Sequence, residues 1–122
     1  VVNASQDCYD GSMDLAKEKC VPCEGGVAPM AKVEAEAFRQ HLADWSLDDD
    51  AKQLSRQFEF KNFQEALAFV NQVGAVAERK GHHPDIHLIN YRQVAITLST
   101  HAIGGLSRND FIVAAQINKL GK

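Results

Sequence analysis

Asn62 and Gly81 bracket the segment that most constrains how this chain can fold. Asn62 can cap a helix, with Glu65 three residues on as in a capping box. Gly81 can end that helix because glycine tolerates positive φ. Between them Phe63, Leu67, Val70, Val73, Gly74 and Ala77 recur every three or four residues, the spacing of one buried helical stripe. A pair of strands is predicted on either side. Trp45-Ser46-Leu47 and the alternating run Leu54 to Phe60 precede the helix. Asp85 to Asn90 and the β-branched run Gln93 to Thr100 follow it, joined by a tight turn near Tyr91-Arg92. Outer helices are predicted over Val33 to Leu42, with Ala37, Phe38 and Leu42 inward, and after Ser107, which caps a helix carrying Asp110 at its third position and Phe111, Ala114, Ala115 and Ile117 on its core face. The order α-β-β-α-β-β-α implies an α+β fold, an antiparallel four-stranded sheet with helices packed on one face.

A chain of 122 residues with 45% hydrophobic content suits one compact domain, taken here as residues 33–122. Its 16 acidic and 13 basic residues, net charge -3, argue against a nucleic-acid surface, which needs a basic patch. No apolar run nears the roughly 20 residues of a membrane span, and Val1 to Leu15 has no secretory-signal pattern. A cytoplasmic location is therefore expected.

Residues 1–32 read as an extended lead-in, with Gly25, Gly26 and Pro29 breaking any periodicity. Gly11-Ser12-Met13 looks like a cloning junction, so residues 1–12 are expected to lie outside the native gene product. Asn3-Ala4-Ser5 matches a glycosylation sequon but has no secretion signal to support it. Cys8, Cys20 and Cys23 are an odd set without a disulfide framework. The Cys20-x2-Cys23 pair lacks both a second ligand pair for zinc and a preceding strand for redox work, so a structural or incidental role is expected. Asp48-Asp49-Asp50 reads as a solvated turn.

Chemistry concentrates elsewhere. His82-His83-Pro84 follows the central helix, and His101 ends the strand that returns beside it. Imidazole is the side chain with an unperturbed pKa nearest neutrality, so a histidine cluster suits proton transfer. Glu78 and His82 stand four apart at a helix end, where a carboxylate can orient an imidazole. Pro84 holds His83 out of helical conformation. A tight hairpin with pairing sums of about 183 to 184 brings residue 101 beside residues 81–83. Three readings stay open on spacing alone: acid–base catalysis, a three-histidine zinc site, and histidines that merely favour a helix C-terminus. His41 and His87 read as exposed singletons.

Glu78-x3-His82-His83-Pro84, Tyr91, His101 and Asp110, in that order, resemble the signature of the pterin-4a-carbinolamine dehydratases, also known as the dimerisation cofactor of a hepatic nuclear homeodomain factor. The likeness extends through Trp45, Phe58 to Phe63, Ile96 to His101 and Gly105-Leu106-Ser107, about Val33 to Leu120 in all, and the Cys20-x2-Cys23-x-Gly25-Gly26 lead-in is similar to bacterial members. It implies a hydro-lyase that dehydrates 4a-hydroxytetrahydropterin to the quinonoid dihydropterin, without metal or cofactor, recycling the tetrahydrobiopterin-type cofactor of aromatic amino-acid hydroxylases. On that reading His82 and His101 are the acid–base pair, Glu78 tunes His82, and His83 binds the pterin. Ser99 and Thr100 hold its amide and amino edge, Trp45 and Pro84 supply apolar walls, and Asp110 either joins the site or caps its helix.

The resemblance also implies a homodimer or homotetramer, for which Leu54 to Phe60 is a candidate edge strand and Ser107 to Lys122 a candidate bundle surface. A protein-binding transcriptional coactivator of the same fold is the alternative function. No direct nucleic-acid or membrane contact is expected.

Overall fold

The computed structural model describes residues 29–42 and 44–121, so the expectations for Cys8, Cys20, Cys23 and the sequon lie outside the described residues. The elements are α1 (Lys32–Arg39), β1 (Ser46–Leu47), β2 (Leu54–Glu59), α2 (Phe63–Lys80), β3 (Asp85–Ile89), β4 (Gln93–Leu98), a 3-10 turn (His101–Ile103) and α3 (Arg108–Gly121). Their order and the antiparallel sheet, β1-β2-β4-β3, match the expected α+β arrangement.

Local chemistry sets the ends of α2. The Glu65 amide donates to Asn62 Oδ1 at 2.8 Å, while Glu65 Oε1 accepts from the Lys61 amide at 3.2 Å. Gly81 closes the helix at φ 67°, its amide donating to Ala77.

The buried face of α2 differs from the predicted stripe. Ala66, Phe69, Val73, Val76 and Ala77 are buried, whereas Phe63 and Leu67 are 47% and 42% exposed. Phe69 decides the rotation. Its ring centroid lies 4.7 Å from Phe58 and 4.9 Å from Phe60, aromatics that the sheet supplies and local periodicity cannot register. In α1 the inward residues are Ala35 and Phe38, with Leu42 beyond the helix end, and Ala37 is exposed. In α3, Ile112 and Val113 join Phe111, Ala114 and Ile117 in the core, and Ala115 is only partly buried.

Two sheet expectations are corrected. Ile89 pairs with Gln93 and Asp85 with Thr97, a pairing sum of 182 (85 + 97), because the hairpin loop holds three residues. Asn90 and Tyr91 both take positive φ there, at 50° and 55°. The proposed edge strand, β2, lies between β1 and β4; the edges are the two-residue β1 and the longer β3. Among the described residues no helix is long and apolar enough to cross a membrane.

Candidate active site

Strand alternation separates the adjacent histidines. On β3, Ile86 and Leu88 pack against the core while Asp85, His87 and Ile89 are exposed. The same alternation runs back through the extended residues before β3, leaving His82 half-buried on the helix side and His83 exposed on the other.

His82 Nε2 lies 2.5 Å from Asp110 Oδ1, with the imidazole side chain 12% exposed and the carboxylate fully buried. Asp110 stands in the first turn of α3. Its second oxygen, Oδ2, accepts from the Thr100 hydroxyl at 2.8 Å and the Ser107 amide at 3.0 Å. Ser107 Oγ in turn lies 2.8 Å from Thr100 Oγ1. Because the Thr100 proton points to Asp110, the Ser107 hydroxyl donates to Thr100. With both donors on Oδ2, Asp110 is an acceptor throughout. His82 Nε2 is then the donor in that pair, and Nδ1 is the ring's remaining nitrogen.

Glu78 does not meet His82. Its Oε2 lies 2.6 Å from His83 Nε2, in a pair whose side chains are 79% and 62% exposed. The expected spacing argument fails because Gly81 ends α2 before His82, so residues 78 and 82 do not share a helical face. Asp110 and Thr100, expected beside the substrate, and Ser107, expected as a helix cap, together form the polar frame of His82, a role their sequence positions do not show; the Ser107 amide bond to Asp110 is also the expected capping-box contact.

His101 begins the 3-10 turn and does not end β4, which stops at Leu98. Thr100 and Gly105 form an isolated bridge that clamps this turn, with Thr100 N–H donating to Gly105 O at 2.7 Å. A Cβ on Gly105 would sit 2.6 Å from Pro29 Cβ, so Pro29 packs on the turn where only glycine fits. His101 is exposed, and among the described residues its ring has no hydrogen-bond or ion-pair partner. Since Thr100 touches the carboxylate that holds His82, the turn carries His101 to the same end of the sheet as His82 and His83.

Pro84 is half-buried between His83 and β3, and Ser99 is half-buried beyond β4. Trp45 sits apart from this cluster. It is 1% exposed, edge-on to Phe58, with Nε1 donating to Asn118 Oδ1 at 2.6 Å. Tyr91 lies at the opposite end of the hairpin, 60% exposed. His41 and His87 are exposed as predicted. Among the described residues no group of three His, Cys, Asp or Glu side chains is placed to hold a metal ion.

The chain matches the family model for pterin 4 alpha carbinolamine dehydratase over residues 28–120. It is 50% identical over 109 residues to a Halorhodospira halophila protein named for the same dehydratase, covering 89% of this chain and 99% of that one. It is 44% identical over 110 residues to the Arabidopsis thaliana pterin-4-alpha-carbinolamine dehydratase 2, mitochondrial, covering 88% and 59%. Among solved structures, a transcriptional coactivator/pterin dehydratase from Brucella melitensis superposes with TM-score 0.72 at 29% identity, covering 77% of this chain and 99% of that one.

Proposed function

The chain belongs to the pterin 4 alpha carbinolamine dehydratase family, and we propose that it dehydrates a 4a-hydroxytetrahydropterin to the quinonoid dihydropterin by histidine acid–base catalysis. The observation that carries this reading is the buried Asp110–His82 pair with exposed His101 and His83 at the same sheet end.

The reaction needs two proton movements. One proton goes to the 4a-hydroxyl, which departs as water with the C4a–O electrons, and another leaves N5 as its bonding electrons form the C4a=N5 double bond. Hydroxide is a poor leaving group, so a positioned donor lowers the barrier directly. His101 is assigned the donor, because its ring is exposed and unengaged among the described residues. His82 is assigned the base through Nδ1, since Asp110 occupies Nε2. Asp110 takes over the orienting role first expected of Glu78, much as a buried carboxylate orients the histidine of a serine-protease triad. His83, held by Glu78, binds the substrate, with Ser99 on its side of the sheet and Pro84 next in the chain, whereas Thr100 is buried and serves Asp110. Trp45 is assigned a core role. No metal or cofactor takes part.

The proposed setting is cytoplasmic recycling of a tetrahydrobiopterin-type cofactor for an aromatic amino-acid hydroxylase, by a homodimer or homotetramer. The Brucella neighbour's name also supports a second reading, a coactivator module that binds protein partners. Stopped-flow decay of freshly generated 4a-carbinolamine, with and without the protein, tests the first. Acceleration that survives in wild type and disappears in the histidine variants supports catalysis; no acceleration refutes it. A partner-binding function would survive those same variants.

A further inference from the structure

We infer that Asp85 and Thr97 recognise a hydroxylated substituent on the substrate's ring and hold it on the uncovered face of the sheet beside His83. The inference rests on the dehydratase reading and extends it to substrate preference.

The placement follows from register. On β4, Val94, Ile96 and Leu98 are buried against the helices, and on β2 so are Leu54 and Phe58. Thr97 and Ser55 therefore lie on the opposite face. Thr97 pairs with Asp85 on one side and with Ser55 on the other, and Ser55 pairs with Ser46, so the four form one rung across the sheet. Burial continues to alternate from Thr97 to Thr100 and from Asp85 back to His83, which adds Ser99 and His83 to the same face. The rung thus continues the face that carries His83 and Ser99, opposite the side on which His82 meets Asp110. Along a strand, His83 and Asp85 are separated by about 6.6 Å, the scale of a small bicyclic ring.

The chemistry of the rung selects the ligand. Among the described residues the side chains of Asp85, Thr97 and Ser55 make no hydrogen bond or ion pair, and no buried polar side-chain atom lacks a partner, so these groups are open to solvent. The Asp85–Thr97–Ser55–Ser46 rung has no aromatic or large apolar side chain on which a flat ring could stack. It offers a carboxylate that accepts and a hydroxyl that both donates and accepts. Side chains directly opposite in such a pair lie roughly 5 Å apart at Cβ, close enough for two adjacent hydroxyls of one short chain to meet both. A pterin bearing a hydroxylated alkyl group at C6 presents that chain.

The test compares two freshly generated 4a-carbinolamines, one with a dihydroxypropyl group at C6 and one with a methyl group. Wild type, Thr97→Val and Asp85→Asn are measured for kcat and KM, with circular dichroism confirming the fold. For the dihydroxypropyl compound, KM should rise about 5-fold in Thr97→Val and about 10-fold in Asp85→Asn, with kcat unchanged. For the methyl compound both constants should stay within about twofold of wild type. Equal losses on the two compounds, or none on either, overturn the inference while leaving the dehydratase reading intact. A wild-type protein inert towards both compounds overturns the dehydratase reading and this inference with it.

Discussion

Asp110 is the residue on which fold and chemistry meet, and two substitutions separate its roles. Asp110→Ala removes the acceptor of three bonds at a fully buried position: His82 Nε2 at 2.5 Å, the Thr100 hydroxyl at 2.8 Å and the Ser107 amide at 3.0 Å. A donor left unsatisfied inside a protein costs about 1–3 kcal/mol. Water entering the vacated space recovers part of that, so the low end applies and the sum is about 3–5 kcal/mol. For a domain of this size the melting temperature should fall by about 15 °C or more. Asp110→Asn is gentler on the fold. Its carbonyl oxygen can still accept from Thr100 and Ser107, and only charge assistance is lost, about 1 kcal/mol or about 5 °C. Its amide, however, faces His82 as a donor. Nε2 must then accept, the ring proton moves to Nδ1, and the proposed base is blocked. We expect kcat to fall about 10²-fold or more in a well-folded Asn variant. Thermal denaturation followed by circular dichroism and stopped-flow carbinolamine decay provide the two readouts. An Asn variant with wild-type kcat, or an Ala variant melting within about 3 °C of wild type, would refute the reasoning.

Three further outcomes are expected. His82→Ala and His101→Ala should each lower kcat by about 10²-fold or more with the fold retained; full activity in both would sink the acid–base assignment. His83→Ala should mainly raise KM, and Glu78→Gln should raise it less, because their pair is exposed; a kcat loss at unchanged KM in steady-state assays would reverse the role of His83. Gly105→Ala places a methyl group 2.6 Å from Pro29 Cβ and should cost about 1–3 kcal/mol in urea denaturation; unchanged stability would refute the close packing of Pro29 on the turn.

Much of the architecture was legible because it is written in short-range patterns. The Asn62 cap, the Gly81 stop and the alternation of β2, β3 and β4 depend on residues within a few positions of one another. The face of α2 was not legible. Ala66, Leu67, Phe69, Val70, Val73, Val76 and Ala77 place apolar groups around much of the helix, and two stripes fit the pattern equally well. Packing of Phe69 against Phe58 and Phe60 selected one. Trp45 likewise reads as a candidate wall from its type alone, whereas burial and the bond to Asn118, 73 residues away, make it core.

The element order, the histidine cluster and the carboxylates able to serve it are local properties of the chain. Which carboxylate serves which histidine depends on how the elements pack. Gly81 turns the chain out of the helix at φ 67°, so the four-residue spacing of Glu78 and His82 ceases to mean proximity. The extended residues that follow then point neighbours in opposite directions, His82 inward to Asp110 on α3 and His83 outward to Glu78. A contact spanning 28 residues depends on how α3 docks against α2, and no local pattern encodes that docking.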